Sequence, residues 1–229
     1  MAMRITSGVP GLDSLIEGGF QKDAMTLVTG GTGTGKTIFC LHFIMEGIRK
    51  GEPCVYLSRE EETEDIKADA RLFGWDLDKY EQKGLLRIIY HDPFETDISS
   101  VLVNQIEYIK AKRLVVDSLS MLGLYMKDQA TVRKQLGKLM KSVKGSGCTS
   151  LVTSEIVEDS KGLSRFGVEE FVVDGVIILN YLGIGQETNR SLQIRKMRRT
   201  NHGKDIYPFK IGPQGIVIVN EEEGFLGKK

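Results

Sequence analysis

Cysteine is scarce in this sequence, and none of its three copies, Cys40, Cys54 and Cys148, lies near another. No C-x-x-C pair or mixed Cys/His ligand spacing can be drawn from them. That excludes a disulfide framework and a zinc cluster, and leaves three buried or semi-buried thiols in a reducing compartment. Excess charge is missing too, because Lys+Arg 31 equals Asp+Glu 31. A protein that grips nucleic acid by bulk charge is normally basic, so nucleic acid is possible as a partner but not favoured. No apolar run approaches the length of a membrane span. The opening Met1-Ala2-Met3-Arg4-Ile5-Thr6 has no apolar signal core, so a cytoplasmic protein without a membrane partner is expected. Proline is rare, 5 residues against 26 Gly, without low complexity. The 229 residues suit one α/β domain over 1–229, with a charged tail at about 221–229 expected to fray.

What is present is an alternation of strand and helix. Met25–Thr29 is a short apolar run that enters a glycine-rich loop. Ile38, Leu41, Met45 and Ile48 then recur at helical spacing, stopped by Gly51-Glu52-Pro53. Cys54–Ser58 reads as a strand, and Ile66, Ala70 and Phe73 as one face of a helix ending near Gly74. Leu85–Tyr90 is a strand, Ile98 to Ile109 a helix, Leu114–Asp117 a strand, and Val132 to Val143 a helix closed by Gly145-Ser146-Gly147. Thr149–Thr153 and Val176–Leu179 are strands. Such alternation predicts βαβ units around a mostly parallel central sheet flanked by helices. The C-terminal part breaks the pattern. Ser191–Met197, Ile206–Ile211 and Gly215–Val219 are short strands split by turn residues, with Gly212-Pro213-Gln214-Gly215 as a hairpin turn. They predict a small antiparallel extension.

Gly30-Gly31-Thr32-Gly33-Thr34-Gly35-Lys36-Thr37 fits G-x-x-x-x-G-K-[ST] between a strand and a helix. Glycines let successive N–H groups turn inward as an anion nest, and the helix N-terminus adds partial positive charge. Lys36 carries a cation to the β and γ phosphates, and Thr37 offers a hydroxyl to Mg²⁺. Gly31, Thr32, Gly33, Thr34, Gly35, Lys36, Thr37 and Ile38 are therefore the expected nucleotide contacts. A chance glycine-rich turn is the alternative, weakened because motif and context coincide. Asp117 closes an apolar strand, where such sheets keep their ligand side, and is the expected partner of Thr37 at the metal. Glu60-Glu61-Glu62 follows a neighbouring strand. A carboxylate there could orient the attacking water, or the three acids could simply suit a solvated first helical turn. Spacing alone leaves both readings open.

In order and spacing these segments resemble the RecA-like ATPases, and most closely a single domain of the KaiC family. The resemblance is carried by Thr6-Ser7-Gly8-Val9-Pro10-Gly11-Leu12-Asp13 with Gly18-Gly19-Phe20, the phosphate loop, and Val55-Tyr56-Leu57-Ser58-Arg59-Glu60-Glu61. Phe73-Gly74-Trp75-Asp76-Leu77, Arg165-Phe166-Gly167-Val168-Glu169-Glu170-Phe171, Lys196-Met197-Arg198 and Tyr207-Pro208-Phe209 continue it. It implies ATP and Mg²⁺ as ligands, and Glu60 and Glu61 as the glutamate pair that acts on the lytic water. It also implies that Lys196, Arg198 and His202 approach the ATP of a neighbouring subunit, in a head-to-tail homohexameric ring. Lys196 and Arg198, two apart on a predicted strand, should project from one face. A basic edge strand from Arg195 to Arg199, guarding against aggregation, is the alternative. Ser154 and Glu155 would end a strand that senses the phosphate state.

The chain departs from the family in places. It carries one phosphate loop where full-length KaiC proteins carry two domains. Arg59 stands where an aromatic residue is common, Glu62 replaces a Thr, and Arg199 replaces a usual Gly. The phosphorylated segment has no counterpart. Two other functions compete with an ATPase acting on an unidentified protein partner. One is a recombinase-like single-stranded DNA-binding ATPase. Its first DNA loop, Gly123–Ala130, balances Lys127 against Asp128. Its second, Glu155–Glu170, sets Lys161 and Arg165 against five acids, a poor match for phosphates. The other is an autophosphorylating Ser/Thr kinase, for which no residue is singled out.

Overall fold

A strand buried along its whole length needs cover on both faces, and Met25–Gly30 is buried at all 6 positions. It lies near the middle of a 9-stranded sheet. The computed structural model describes residues 3–95, 97–123, 128–158, 160, 162–181 and 190–219. In chain order the elements begin with β1 (Arg4–Ile5), α1 (Leu12–Leu15), β2 (Phe20–Gln21), β3 (Met25–Gly30), α2 (Lys36–Arg49), β4 (Cys54–Ser58) and α3 (Thr63–Leu72). There follow α4 (Leu77–Gln82), β5 (Leu86–Tyr90), α5 (Ile98–Ile109), β6 (Arg113–Asp117), α6 (Gln129–Gly145) and β7 (Thr149–Glu155). The last are α7 (Glu169–Val172), β8 (Gly175–Tyr181), β9 (Arg190–Met197), β10 (Ile206–Gly212) and β11 (Gly215–Ile218).

The strand order is β11-β10-β9-β8-β3-β7-β6-β4-β5, with β8 through β5 parallel and β9 to β11 added antiparallel. The expected sheet with its antiparallel extension is present. Sequence reading missed the two-stranded sheet β1–β2 and the short helices α1, α4 and α7. These are too brief to show a 3.6-residue period; α4 is started by Asp76, whose carboxylate accepts from Lys79 N at 3.3 Å. The first candidate DNA loop falls partly, at 124–127, outside the described residues, as do Asp159, Lys161 and the tail from 220.

Alternate side chains of each central strand enter opposite cores. Cys54, Tyr56 and Val115 face α2 and the N-terminal segment, whereas Val55, Leu57, Leu114 and Val116 face α5 and α6. The first core also encloses His42, whose two ring nitrogens both have partners. His42 on α2 faces the Gly8 carbonyl through Nδ1 at 3.0 Å and accepts the Ile216 N–H on Nε2 at 2.8 Å. The second bond requires a bare Nε2, so the ring is neutral with its proton on Nδ1. α2 is thereby clipped to the N-terminal lead-in on one side and to the β10–β11 hairpin on the other.

Candidate functional site

The phosphate loop connects β3 to α2 at the C-terminal edge of the parallel strands, the edge on which open α/β sheets hold ligands. Gly35 enters α2 with φ +101, a conformation other residues adopt only under strain. A Cβ on Gly30 would run into the Leu179 carbonyl of β8, so only glycine permits this approach. Thr34 Oγ1 donates to the Gly31 carbonyl at 2.9 Å. Lys36 Nζ lies over the same loop, donating to the carbonyls of Gly30 at 3.1 Å and Gly31 at 2.9 Å. A cation resting on carbonyls at the mouth of the cradle is available to a phosphate that displaces them.

Three strands deliver the acids. β4 and β6 are hydrogen-bonded neighbours, with Ser58 opposite Asp117. Asp117 Oδ2 accepts from Thr37 Oγ1 at 3.1 Å and Tyr56 OH at 2.6 Å, while Oδ1 accepts from Thr153 Oγ1. This carboxylate is held by three hydroxyls from three elements. The Thr37 hydroxyl and the Asp117 carboxylate are hard oxygen donors brought together, the set a Mg²⁺ ion takes. Among the described residues no cluster of three His, Cys, Asp or Glu side chains offers another metal site.

Glu60 and Glu61 sit on a turn beyond β4. The Ser58 hydroxyl accepts from Glu61 N at 3.0 Å and donates to the Glu61 carbonyl at 2.6 Å, which fixes the turn. The two carboxylates are not equivalent. Glu60 is bound to the Ser118 hydroxyl, whereas the Glu61 carboxylate lines the cleft with no hydrogen bond or ion pair among the described residues. Partial burial raises the pKa of both, with the Asp117 charge the next cause for Glu61. Lys36, Thr37, Glu60, Glu61 and Asp117 line one cleft of 530 Å³ together with Glu155 at the end of β7. A larger cleft of 640 Å³ adjoins it beyond Gly31 and Thr32, lined by Arg165, Asn180 and Tyr181. Lacking Lys36 and the paired acids, it does not hold the phosphate chemistry. Of the expected sensing pair, Glu155 faces both clefts, but Ser154 is buried and donates to Glu169 at 3.0 Å.

Sequence reading missed Arg190. Its Nη2 donates to the Gly33 carbonyl at 3.3 Å and its guanidinium lies 5.2 Å from the Tyr181 ring. No local motif marks it, because its position follows from strand direction. β9 runs antiparallel to β8, so its first residue reaches the phosphate loop and its last residues lie at the opposite end of the sheet. Lys196 is thus about 20 Å from Arg190 along the strand. There Lys196 Nζ donates to the carbonyls of Glu170 at 3.0 Å and Val173 at 2.7 Å, and Arg198 pairs with Asp174 at 3.3 Å. Lys196 and Arg198 do not share a strand face as expected, because β9 is irregular near Lys196 and ends at Met197, so Arg198 lies beyond it. The two cations are neighbours because both dock on residues 170–174. β10 pairs only with Arg190–Gln193 of β9, so the basic stretch from Arg195 is paired on the β8 side alone and keeps the edge position of the alternative reading. His202 is at this same far end, with Nδ1 2.7 Å from the Gly203 carbonyl. Arg199, where the family usually has Gly, has φ 53, the left-handed region that glycine adopts freely.

A strand–loop–helix phosphate cradle, with an acid from a neighbouring parallel strand set against its Thr, defines a P-loop ATPase fold of the RecA class. A family model described as "ATPase: KaiC" matches residues 5–223, and the chain belongs to that family. It is 35% identical over 244 residues to a UPF0273 protein of Thermotoga maritima, covering 98% of this chain and 99% of that protein. It is also 35% identical over 229 residues to the circadian clock protein KaiC3 of Synechocystis, but spans 45% of that protein's length. The crystal structure of a KaiC-like protein from Pyrococcus horikoshii superposes with a TM-score of 0.88 at 40% identity, covering 96% of this chain and 100% of that one. No helix among the described residues is long and apolar enough to cross a membrane.

Proposed function

We propose that this chain, as one domain, binds ATP with Mg²⁺ and hydrolyses it, and that a second copy completes the hydrolytic centre in a head-to-tail ring. The observation that supports hydrolysis is the cleft in which Lys36, the Thr37–Asp117 pair and the Glu61 carboxylate converge. Backbone N–H groups from Gly31 to Ile38 bind the phosphates, and Lys36 moves from the loop carbonyls to the β and γ oxygens. Thr37 and Asp117 would hold Mg²⁺, which would supply neutralisation of phosphate charge. Glu61 orients the attacking water, its raised pKa making it a better proton acceptor than an ordinary carboxylate. Glu60, tied to Ser118, holds the turn in place.

Lys196, Arg198 and His202 cannot serve their own chain's loop, being at the other end of the sheet, but a copy stacked head to tail presents that end to its neighbour's cleft. The cation they bring stabilises charge developing on the γ-phosphoryl group. The test is phosphate release with ATP and Mg²⁺, measured alongside mass in solution with and without nucleotide. Hydrolysis confined to a nucleotide-driven oligomer is expected; equal turnover by a monomer would sink the neighbour-assisted scheme. γ-labelled ATP separates hydrolysis from self-phosphorylation, because only the latter leaves label on the protein. Salt-dependent binding of single-stranded DNA would favour the recombinase-like reading, which no observation on the site favours over a protein partner in a cytoplasmic setting.

A further inference from the structure

Arg59 stands between the metal-binding acid and the two glutamates, yet its side chain enters neither the cleft nor solvent. Its residue exposure is 1%. Along an extended chain, successive side chains point to opposite faces, so Arg59 is directed away from the side on which Glu60 emerges. Its Nη2 donates to three carbonyls of the segment after β5: Asp92 at 3.4 Å, Pro93 at 2.7 Å and Glu95 at 3.2 Å. At the backbone, Arg59 N donates to the Asp117 carbonyl at 2.7 Å. One residue therefore pins the β4 turn at two points, to the strand that carries Asp117 and to the loop that leaves β5.

The cation is not there for ordinary packing. No carboxylate forms an ion pair with it among the described residues, and its Nε and Nη1 lack hydrogen-bond partners there. Its neighbour His91 is also buried, with Nε2 3.4 Å from the Glu95 carboxylate and a pKa lowered by burial and then by the Arg59 charge. Burial lowers the Arg59 pKa even though the Asp92 and Glu95 charges favour the cation, so desolvation outweighs them; replacing such a buried charge with an apolar side chain of similar volume is often neutral or stabilising. A feature that stability does not favour points to another use.

We infer that Arg59 is a positioning residue for the hydrolysis proposed above: by anchoring the turn after β4 to the 92–95 carbonyls, it sets the Glu60–Glu61 carboxylates relative to Asp117. This rests on that reading of the cleft, and misplacing a catalytic group by about 1 Å can cost on the order of 100-fold in rate. The test measures ATP turnover, nucleotide affinity and thermal stability in the full chain and its Arg59→Met and Arg59→Lys variants. Arg59→Met is expected to keep its nucleotide Kd within about twofold and to lose at least about tenfold in kcat. Its Tm should be unchanged or raised. Arg59→Lys, which retains a cationic donor, should recover part of kcat. A residue with only a structural role would give the reverse, a lowered Tm with wild-type kcat in the folded fraction, and that result overturns the inference. An inactive wild-type chain removes the proposed reaction and this inference together; a wild-type kcat in Arg59→Met beside an active parent removes this inference alone.

Discussion

The Thr37 hydroxyl donates to the Asp117 carboxylate across 3.1 Å, joining the first turn of α2 to the end of β6. The two residues are 80 apart in the chain, and each reaches the bond from a well-buried element. That bond brings together two of the oxygens expected to hold a divalent ion, and it places the acid of β6 within the reach of the phosphate cradle. The remaining features of the cleft can be tested around it.

Lys36→Ala should weaken ATP binding by at least about tenfold, since a charge-assisted hydrogen bond to phosphate contributes roughly 1.5–3 kcal/mol. Calorimetry with ATP and Mg²⁺ checks it. Affinity equal to wild type would mean that the cradle does not hold the triphosphate.

Glu61→Gln should leave ATP affinity intact and slow turnover by about 100-fold or more, the range for loss of a general base. Glu60→Gln should have the smaller effect, because an amide can still accept from the Ser118 hydroxyl. If phosphate release shows the opposite ranking, the water-orienting role belongs to Glu60.

Acid should destabilise the fold through His42. Burial lowers its pKa from 6.5 to about 4. The unfolded chain therefore binds a proton at a pH where the folded chain does not, so the stability His42 contributes is present above 6.5 and lost as pH falls toward 4. The loss can reach about 3 kcal/mol. Urea unfolding of wild type and His42→Gln between these pH values tests it: the variant should be less stable near neutrality and lose less on acidification.

Gly47→Ala should lower stability even though alanine favours a helix interior by roughly 1 kcal/mol. A Cβ there would lie 2.5 Å from Arg113 Cδ and 2.7 Å from Cys54 Sγ. Arg113 cannot easily yield, being fully buried and bonded to Glu52 at 2.7 Å and to the Thr6 and Phe43 carbonyls at 2.8 and 3.0 Å. Overpacking of a rigid core costs about 1–3 kcal/mol, so the clash should win and the Tm should fall. A raised Tm would show that Arg113 repacks freely.

Much of this protein was legible in its residues. The phosphate loop is eight contiguous residues, and its shape follows from local backbone freedom and one helix N-terminus, so reading it required no knowledge of distant contacts. The strand and helix alternation was equally plain, because burial of a strand or one helix face leaves a local period. Tertiary structure alone decided what joins across the sheet. It set Thr37 against Asp117, gave Glu60 the Ser118 hydroxyl as a partner, and turned Arg59 toward the 92–95 carbonyls. It also sent the two ends of β9 to opposite edges, Arg190 to the phosphate loop and Lys196 to the far side. Local sequence fixes how a segment folds on itself; the order and direction in which strands pair depend on covering both faces of one sheet, which is a property of the whole chain.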